Sequence, residues 1–185
     1  MFVAALLLHQ LTPVRLVRDG APYLVKVVPK AERPLQVWRS SKLIAFGLLK
    51  RYHPWCLQVA DVDGRGDAIA VGVDKPTHNL HFPHRTLFLL SFDGKALKRK
   101  WTGSTMGRPL LEFCFSPTPP QRLITLETCL DGRVALSSYH WIGFGFRKDR
   151  ERFWQAAAHL QATPDALTVR AEGHQVSLQW SDVLL

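Results

Sequence analysis

The sequence of 185 residues has few cysteines and no long apolar run. Its three cysteines, Cys56, Cys114 and Cys129, form no Cys-x-x-Cys pair, which argues against a disulfide framework and against zinc or redox chemistry. The apolar stretch from Phe2 to Leu8 is far shorter than the roughly 18 to 20 residues that span a bilayer. We interpret it as a buried strand. The alternative is a signal peptide, although a basic start and a small-x-small cleavage site are missing.

Familiar catalytic signatures are also missing. The sequence has no Gly-x-Ser-x-Gly elbow, no P-loop, no His-Glu-x-x-His pair and no dinucleotide fingerprint. Gly143-Phe-Gly145 is a lone glycine pair among aromatic residues, which is typical of close strand packing. The sequence therefore favours a protein that is not an enzyme, without deciding the point, and it predicts no catalytic residue.

Helical periodicity is scarce, and short β-like runs alternate with turns that contain glycine or proline. Asp93-Gly94, Asp131-Gly132 and Glu172-Gly173 each separate two such runs, which predicts hairpins because glycine tolerates the positive φ of a tight turn. The stretch from Arg150 to Gln161 has helix-compatible spacing, with a strand as the competing interpretation. An all-β fold follows from this pattern.

Four tryptophans recur near the ends of β-like runs, and the last three are spaced by about 40 residues, the sign of a repeat architecture. They are Trp38, Trp101, Trp141 and Trp180. We expect them to occupy equivalent places in neighbouring units, where large rings bury much apolar area. The units predicted from this spacing are residues 1–52, 53–105, 106–150 and 151–185, within a single domain that covers 1–185.

The segment from Leu57 to Val73 carries the most informative pattern, an apolar strand, an Asp-x-Asp-Gly turn and a second apolar strand. It resembles the FG-GAP and VCBS repeats of integrin-like β-propellers. That resemblance implies a small propeller of about four four-stranded blades. The apolar N-terminus and the C-terminal Val183 to Leu185 could close it by pairing, and open edges would instead predict a homodimer.

The resemblance also implies a calcium site, since the acidic loop of the family often binds that ion with closely spaced carboxylates. Asp61, Asp63 and Asp67 would supply the ligands here. Arg65 departs from the pattern, because it stands where another acidic ligand is expected. A loop closed by the Arg65 guanidinium, or a purely structural Asx-type turn, is the alternative.

A second loop contains the series His78, His81 and His84, followed by Arg85. Three imidazoles could bind zinc, nickel or copper if the loop brought them together, but the spacing matches no specific zinc motif. Prolines in the segment favour an irregular, exposed loop, so solvent-facing histidines are the alternative to a metal site. The loop is also a candidate recognition surface, because function often lies on loops of a rigid scaffold.

The formal charge of +9 attracts polyanions, although the cations are dispersed along the sequence. We therefore expect a non-catalytic binding or scaffolding module that offers a basic propeller surface and loops to a protein or an anionic partner. The alternative is a hydrolase or lyase that acts on carbohydrate at the central channel. A transmembrane segment is not predicted and nucleic acid is not favoured as a partner. The cytoplasm is favoured over a secreted or cell-surface location.

Overall fold

The computed structural model describes residues 11–103 and 107–184 and confirms the all-β prediction. Within these ranges, 15 strands form four open antiparallel sheets, and each sheet takes its strands in sequence order. The chain divides into two compact units, which we describe separately. Unit 1 comprises the described residues of 11–60 and 66–103, and unit 2 comprises those of 61–65 and 107–184.

Unit 1 contains two four-stranded sheets. The first sheet consists of β1 (Val14–Arg18), β2 (Ala21–Val27), β3 (Leu35–Arg39) and β4 (Lys42–Gly47). A single 3-10 turn (Lys50–Tyr52) follows β4. The second sheet consists of β5 (Cys56–Ala60), β6 (Ala68–Lys75), β7 (His84–Phe92) and β8 (Leu97–Trp101).

Unit 2 contains one four-stranded and one three-stranded sheet. The third sheet consists of β9 (Leu110–Phe115), β10 (Leu123–Thr128), β11 (Val134–Trp141) and β12 (Phe146–Trp154). The fourth sheet consists of β13 (Ala157–Ala162), β14 (Ala166–Ala171) and β15 (His174–Gln179), and it is followed by a short helix, α1 (Trp180–Leu184).

The predicted glycine turns all form. Gly94, Gly132 and Gly173 have φ angles of +89°, +84° and +82°, and they connect β7 to β8, β10 to β11 and β14 to β15. Asp93 shows how the side chain before the glycine helps, because its Oδ1 accepts the backbone N–H groups of two following residues at 3.0 and 2.8 Å. Turn chemistry in the sequence therefore fixed these hairpins locally.

Unit 1 has an apolar core between its two sheets, with residues of β1 to β4 packed together with residues of β5 to β7. The six residues from Ala68 to Val73 on β6 are all buried, whereas β1 buries only Leu16. Gly72 is required at its position because a Cβ there would lie 2.6 Å from the ring of Trp55. The second sheet is thus buried on both faces and the first sheet on one.

Unit 2 has a comparable apolar core, but the other face of its third sheet buries a carboxylate. Glu127 is 1% exposed. Its Oε1 accepts the hydroxyl groups of Thr125 at 2.7 Å and Tyr139 at 2.5 Å. The guanidinium of Arg108 lies 3.5 Å from Glu127 Oε2 and 2.9 Å from Glu151 Oε2. Burial, reinforced by the charge of Glu127, raises the pKa of Tyr139 well above its ordinary value.

At the end of the chain, the strand interpretation of the stretch from Arg150 to Gln161 is confirmed, because it contains the end of β12 and most of β13. The boundary predicted between residues 150 and 151 lies inside β12. The expectation of a closing C-terminal strand is wrong. Val183 and Leu184 lie in α1, where Val183 packs into the core of unit 2, so they do not form a closing strand. The other closing segment, Phe2 to Leu8, and Leu185 lie outside the described residues.

The tryptophan register is also wrong. Trp38 lies on the third strand of its sheet, Trp101 ends the fourth strand of its sheet and Trp141 ends the third of its own, while Trp180 begins a helix. Of these four, only Trp101 is buried. The tryptophans are regularly spaced along the sequence but do not occupy equivalent positions in the sheets. The reason is that the strands and the loops between them differ in length from one sheet to the next.

Candidate functional site

The two units differ sharply in charge. Unit 1 holds 15 lysines and arginines against 5 aspartates and glutamates, a net charge of +10 with histidines neutral. Unit 2 holds 9 against 10, a net charge of −1. The basic excess of the whole chain therefore belongs to unit 1, and the attraction of that unit for anions is stronger than the whole-chain value suggests.

A cavity of about 440 Å³ opens in unit 1 between the edge strands of its two sheets, β4 and β8. We call it the basic cleft. Among the described residues that line it, three are cationic, three are aromatic and none is acidic. The lining residues are Arg33, Phe46, Gly47, Leu48, Leu49, Tyr52, Lys75, Phe88, Leu90, Leu97, Arg99 and Thr102.

The three cations come from three different parts of unit 1. Arg33 lies in the loop between β2 and β3, Lys75 ends β6, and Arg99 lies on β8. Lys75 is the most buried of them, and its Nζ donates a hydrogen bond to the backbone carbonyl of Thr102 at 3.0 Å. Burial lowers the pKa of Lys75 below its ordinary value. Arg33 and Arg99 are exposed and keep their donors accessible to solvent.

Aromatic and aliphatic side chains form the rest of the basic cleft. The rings of Tyr52 and Phe88 meet edge to face with centroids 5.2 Å apart, and the ammonium of Lys75 lies 5.3 Å from the centroid of Phe88. Phe46 points outward because β4 alternates and buries its neighbour Ala45, which leaves the Phe46 ring 59% exposed.

This arrangement is suited to binding rather than to chemistry. A cavity of a few hundred Å³ with an apolar wall and a few polar groups is the usual form of a ligand site. Cations that face no carboxylate within the cavity favour an anionic group, and arginine can bind a phosphate or carboxylate through two parallel hydrogen bonds. The basic cleft therefore has the shape and charge of an anion-binding site.

Unit 2 contains a different cavity, of about 470 Å³, which we call the His140 pocket. Its lining residues are Val62, Pro120, Gln121, Arg122, His140, Trp141, Arg147 and Asp149. The carboxylate of Asp149 is shared, since it pairs with the guanidinium of Arg122 and lies 2.5 Å from Nδ1 of His140. A carboxylate on Nδ1 orients an imidazole and leaves Nε2 for a ligand or a proton.

The aspartates of the predicted calcium loop have separate partners. In unit 2 the backbone of Asp61 pairs with Gln121, donating to its Oε1 at 2.8 Å and accepting its N–H at 2.7 Å. In unit 1 the carboxylate of Asp67 accepts the N–H of Val17 at 3.4 Å.

Asp63 accepts the backbone N–H of Arg65 at 3.3 Å, which is the hydrogen bond of an Asx-type turn. Within residues 11–103 and 107–184, no three His, Cys, Asp or Glu side chains are placed to hold a metal ion. The Asx-type turn is therefore present, and calcium binding stays an expectation of the resemblance.

The three histidines of the second loop differ in their exposure to solvent. His78 and His81 are exposed, as the solvent-facing alternative expects, but His84 is buried as the first residue of β7. Its Nδ1 lies 2.8 Å from the carbonyl of Phe82. The guanidinium of Arg85 lies 4.9 Å from the ring centroid of Trp55. These contacts hold the end of the loop against the second sheet.

Sequence reasoning missed Arg33, Lys75 and Arg99, the cations of the basic cleft. They are far apart in the sequence, and no motif connects them. The available signal was the distribution of charge, because the residues before 105 carry nearly all of the cationic excess while the residues after it are close to neutral.

Comparison with known proteins identifies no relative: no family, curated protein or solved structure matches the chain. In the part of the chain that the structure describes, no helix combines the length and apolar character needed to cross a membrane.

Proposed function

We propose that this chain is a non-catalytic binding module that holds an anionic partner in the basic cleft of unit 1. The observation that carries the proposal is the convergence of Arg33, Lys75 and Arg99 on one cavity whose described lining contains no acid. The net charge of +10 on the same unit adds long-range attraction to this local recognition. Aromatic and aliphatic side chains beside these cations give a bound ligand an apolar surface to contact as well.

The proposal is tested by calorimetric titration with inorganic tripolyphosphate at low ionic strength. Replacing all three cations, in an Arg33→Gln, Lys75→Gln, Arg99→Gln variant, should weaken binding at least about tenfold, since each charge-assisted hydrogen bond contributes roughly 1.5–3 kcal/mol.

The matched control is an Arg15→Gln, Lys42→Gln, Lys95→Gln variant, which removes the same charge from exposed positions of unit 1 outside the lining of the basic cleft. It should weaken binding only by about threefold or less, because solvent and salt screen distant charges. Equal loss in both variants would show a diffuse electrostatic effect and would refute a defined site.

For the architecture, we propose that the four sheets are blades of a small β-propeller of the FG-GAP and VCBS type. Three sheets have four strands each in meander order, and an Asp-x-Asp-Gly turn connects β5 to β6, which supports the proposal. Small-angle X-ray scattering tests it, since a propeller predicts a compact particle with a single radius of gyration near that of a globular domain of this length. An extended scattering profile would contradict it.

The alternative function, a hydrolase or lyase that acts on carbohydrate, has one observation in its favour. His140 is paired with Asp149 in a cavity that also contains Trp141, and this combination offers a candidate base beside a ring on which a sugar could stack. Incubation with neutral and acidic polysaccharides, followed by a reducing-end assay and an assay for unsaturated products, tests this function. Turnover that is lost in His140→Gln would establish the enzyme and refute the non-catalytic assignment.

A further inference from the structure

The outward face of the first sheet, beside the basic cleft, is unusually apolar and cationic for an exposed surface. Its side chains lie in two cross-strand rows, as the strand register shows. One row is Arg15, Leu24, Trp38 and Leu43, and the next is Lys26, Gln36 and Phe46. We call this surface the outer face. Leu24, Leu43 and Phe46 are 41%, 38% and 59% exposed.

The outer face and the basic cleft are continuous. A shallow hollow of about 220 Å³ on the outer face is lined by Ala31, Arg33, Gln36, Leu43 and Phe46. Two of these residues, Arg33 and Phe46, also line the basic cleft. They therefore form a ridge between two neighbouring hollows, with one exposed ring and one guanidinium on it. A ligand longer than a single small anion could occupy both hollows and cross this ridge.

The rings on the outer face are accompanied by cations rather than by acids. The ammonium of Lys26 lies 4.1 Å from the ring centroid of Trp38, and Trp38 Nε1 donates to Gln36 Oε1 at 3.0 Å. These contacts hold the half-buried indole in place beside the exposed ring of Phe46. A partner that carries both negative charge and flat apolar groups would match the surface on both counts.

We propose that the anionic partner is a single-stranded nucleic acid, whose phosphates bind in the basic cleft and whose bases stack on Phe46 and Trp38. Aromatic rings on a sheet beside a positively charged groove are the usual means of binding single strands, because every base has a flat π-face. The net charge of +10 on unit 1 favours a polyanion over a neutral partner, and the exposed ring of Phe46 favours a polyanion with flat bases over an acidic protein segment. This inference rests on the proposed function and specifies its partner.

The inference revises the expectation that nucleic acid is not favoured. That expectation was based on the dispersion of the cations along the sequence, which did not indicate a basic surface for nucleic acid. Folding assembles Arg33, Lys75 and Arg99 in one cavity and places the exposed ring of Phe46 at its edge. Duplexes should bind less tightly than single strands, since their bases are stacked on each other and unavailable to the rings.

The test is fluorescence anisotropy with a labelled oligouridylate of about ten nucleotides, within the span that such surfaces cover. The full chain should bind it, and log K should fall with log salt by about 0.7 for each phosphate contacted. Phe46→Ala should weaken this binding at least about fivefold, the lower end of the effect of losing one stacked base. Phe46→Trp should restore it.

Phe144→Ala is the matched control, because it removes an exposed phenylalanine of unit 2, 77% accessible, and should leave binding unchanged. Trp38→Ala alters a ring of the outer face that does not line the basic cleft. It should weaken oligouridylate binding but leave tripolyphosphate binding as it is in the unaltered chain. Thermal unfolding of each variant verifies that it folds.

The outcomes separate this inference from the proposed function. If tripolyphosphate binds but the oligouridylate does not, or if Phe46→Ala leaves oligouridylate binding unchanged, base stacking is refuted and anion binding stands. If neither binds, both proposals fail. If an acidic peptide binds in a Phe46-dependent manner and the oligouridylate does not, the partner is a protein and the nucleic-acid assignment is overturned.

Discussion

Units 1 and 2 are both built from meander sheets around an apolar core, but they place their charges differently. Unit 1 keeps a core without buried carboxylates and concentrates a net charge of +10 on its surface. Unit 2 is close to neutral and commits charge to its interior, where Glu127 is held by Thr125, Tyr139 and Arg108. Unit 1 thus carries its charge at the surface, while unit 2 also uses a buried charge within its packing. The net charge of the whole chain, +9, does not reveal this difference between the units.

The largest loss of stability is expected when the buried carboxylate of unit 2 is removed. Glu127→Ala leaves two hydroxyl groups and part of the Arg108 guanidinium without their acceptor, so it should lower the free energy of unfolding by about 3 kcal/mol. Urea denaturation followed by tryptophan fluorescence measures the change. Glu151→Ala is the control, because it removes a more exposed partner of the same arginine and should cost less than about 1 kcal/mol. Equal losses of unfolding free energy in the two variants would mean that the burial of Glu127 adds nothing to its effect on stability.

In unit 1, where the core contains no buried carboxylate, we expect stability to be most sensitive to packing, and a substitution at Gly72 tests this difference from unit 2. Gly72→Ala places a methyl group against the ring of Trp55, which must move, so the variant should lose about 1–3 kcal/mol. Gly107→Ala, at an exposed position with no neighbouring atom near the added methyl, should change stability by less than about 0.5 kcal/mol. The same urea experiment measures both. A neutral Gly72→Ala would show that the indole has room to shift.

Alkaline pH should act on unit 2 through Tyr139. Because the folded state raises the pKa of this phenol above its unfolded value near 10, it favours the protonated form. Its contribution to stability is complete below pH 10 and is lost as the pH rises above that value. Tyr139→Phe should lose about 1 kcal/mol at neutral pH and should show a weaker decline of stability above pH 10. An unchanged alkaline decline would assign that decline to other groups.

The smallest expected effect concerns the pair at the surface of unit 2. Asp149→Asn removes the charge that holds Arg122 and His140, and these side chains are partly exposed to solvent. Stability should therefore change by less than about 1 kcal/mol. A loss as large as that of Glu127→Ala would show that the His140 pocket is part of the structural core.

Much of the fold was predictable from local chemistry, and the site was not. Asp-Gly and Glu-Gly turns identified the hairpins correctly, because a glycine with positive φ acts within a few residues. The stretch from Arg150 to Gln161 left helix and strand open, because apolar residues at mixed spacing are compatible with either a helix or two edge strands, and the structure shows the strands. The tryptophans misled because equal spacing does not require equal position when strand lengths differ.

Residues of the basic cleft could not be found by motif, since the cleft is made by strands that meet only after folding. Gly47 of β4 illustrates this point, because a Cβ there would lie 3.0 Å from Leu97 Cδ1 on β8. At this close approach β4 and β8 lie together, and Phe46 of β4 and Arg99 of β8 both line the cavity. A count of charges before and after residue 105 points to the part of the chain that contains unit 1, but it does not identify the residues of the cleft.

Amide hydrogen exchange of the unaltered chain, with and without tripolyphosphate, tests the central claim most directly. Binding in the basic cleft should slow exchange in residues 46–52 and 97–102, where backbone amides border the cavity, and should leave the strands of unit 2 unchanged. Slowed exchange around residues 120–122 and 140–149, with no change in unit 1, would place the anion in the His140 pocket and contradict the account.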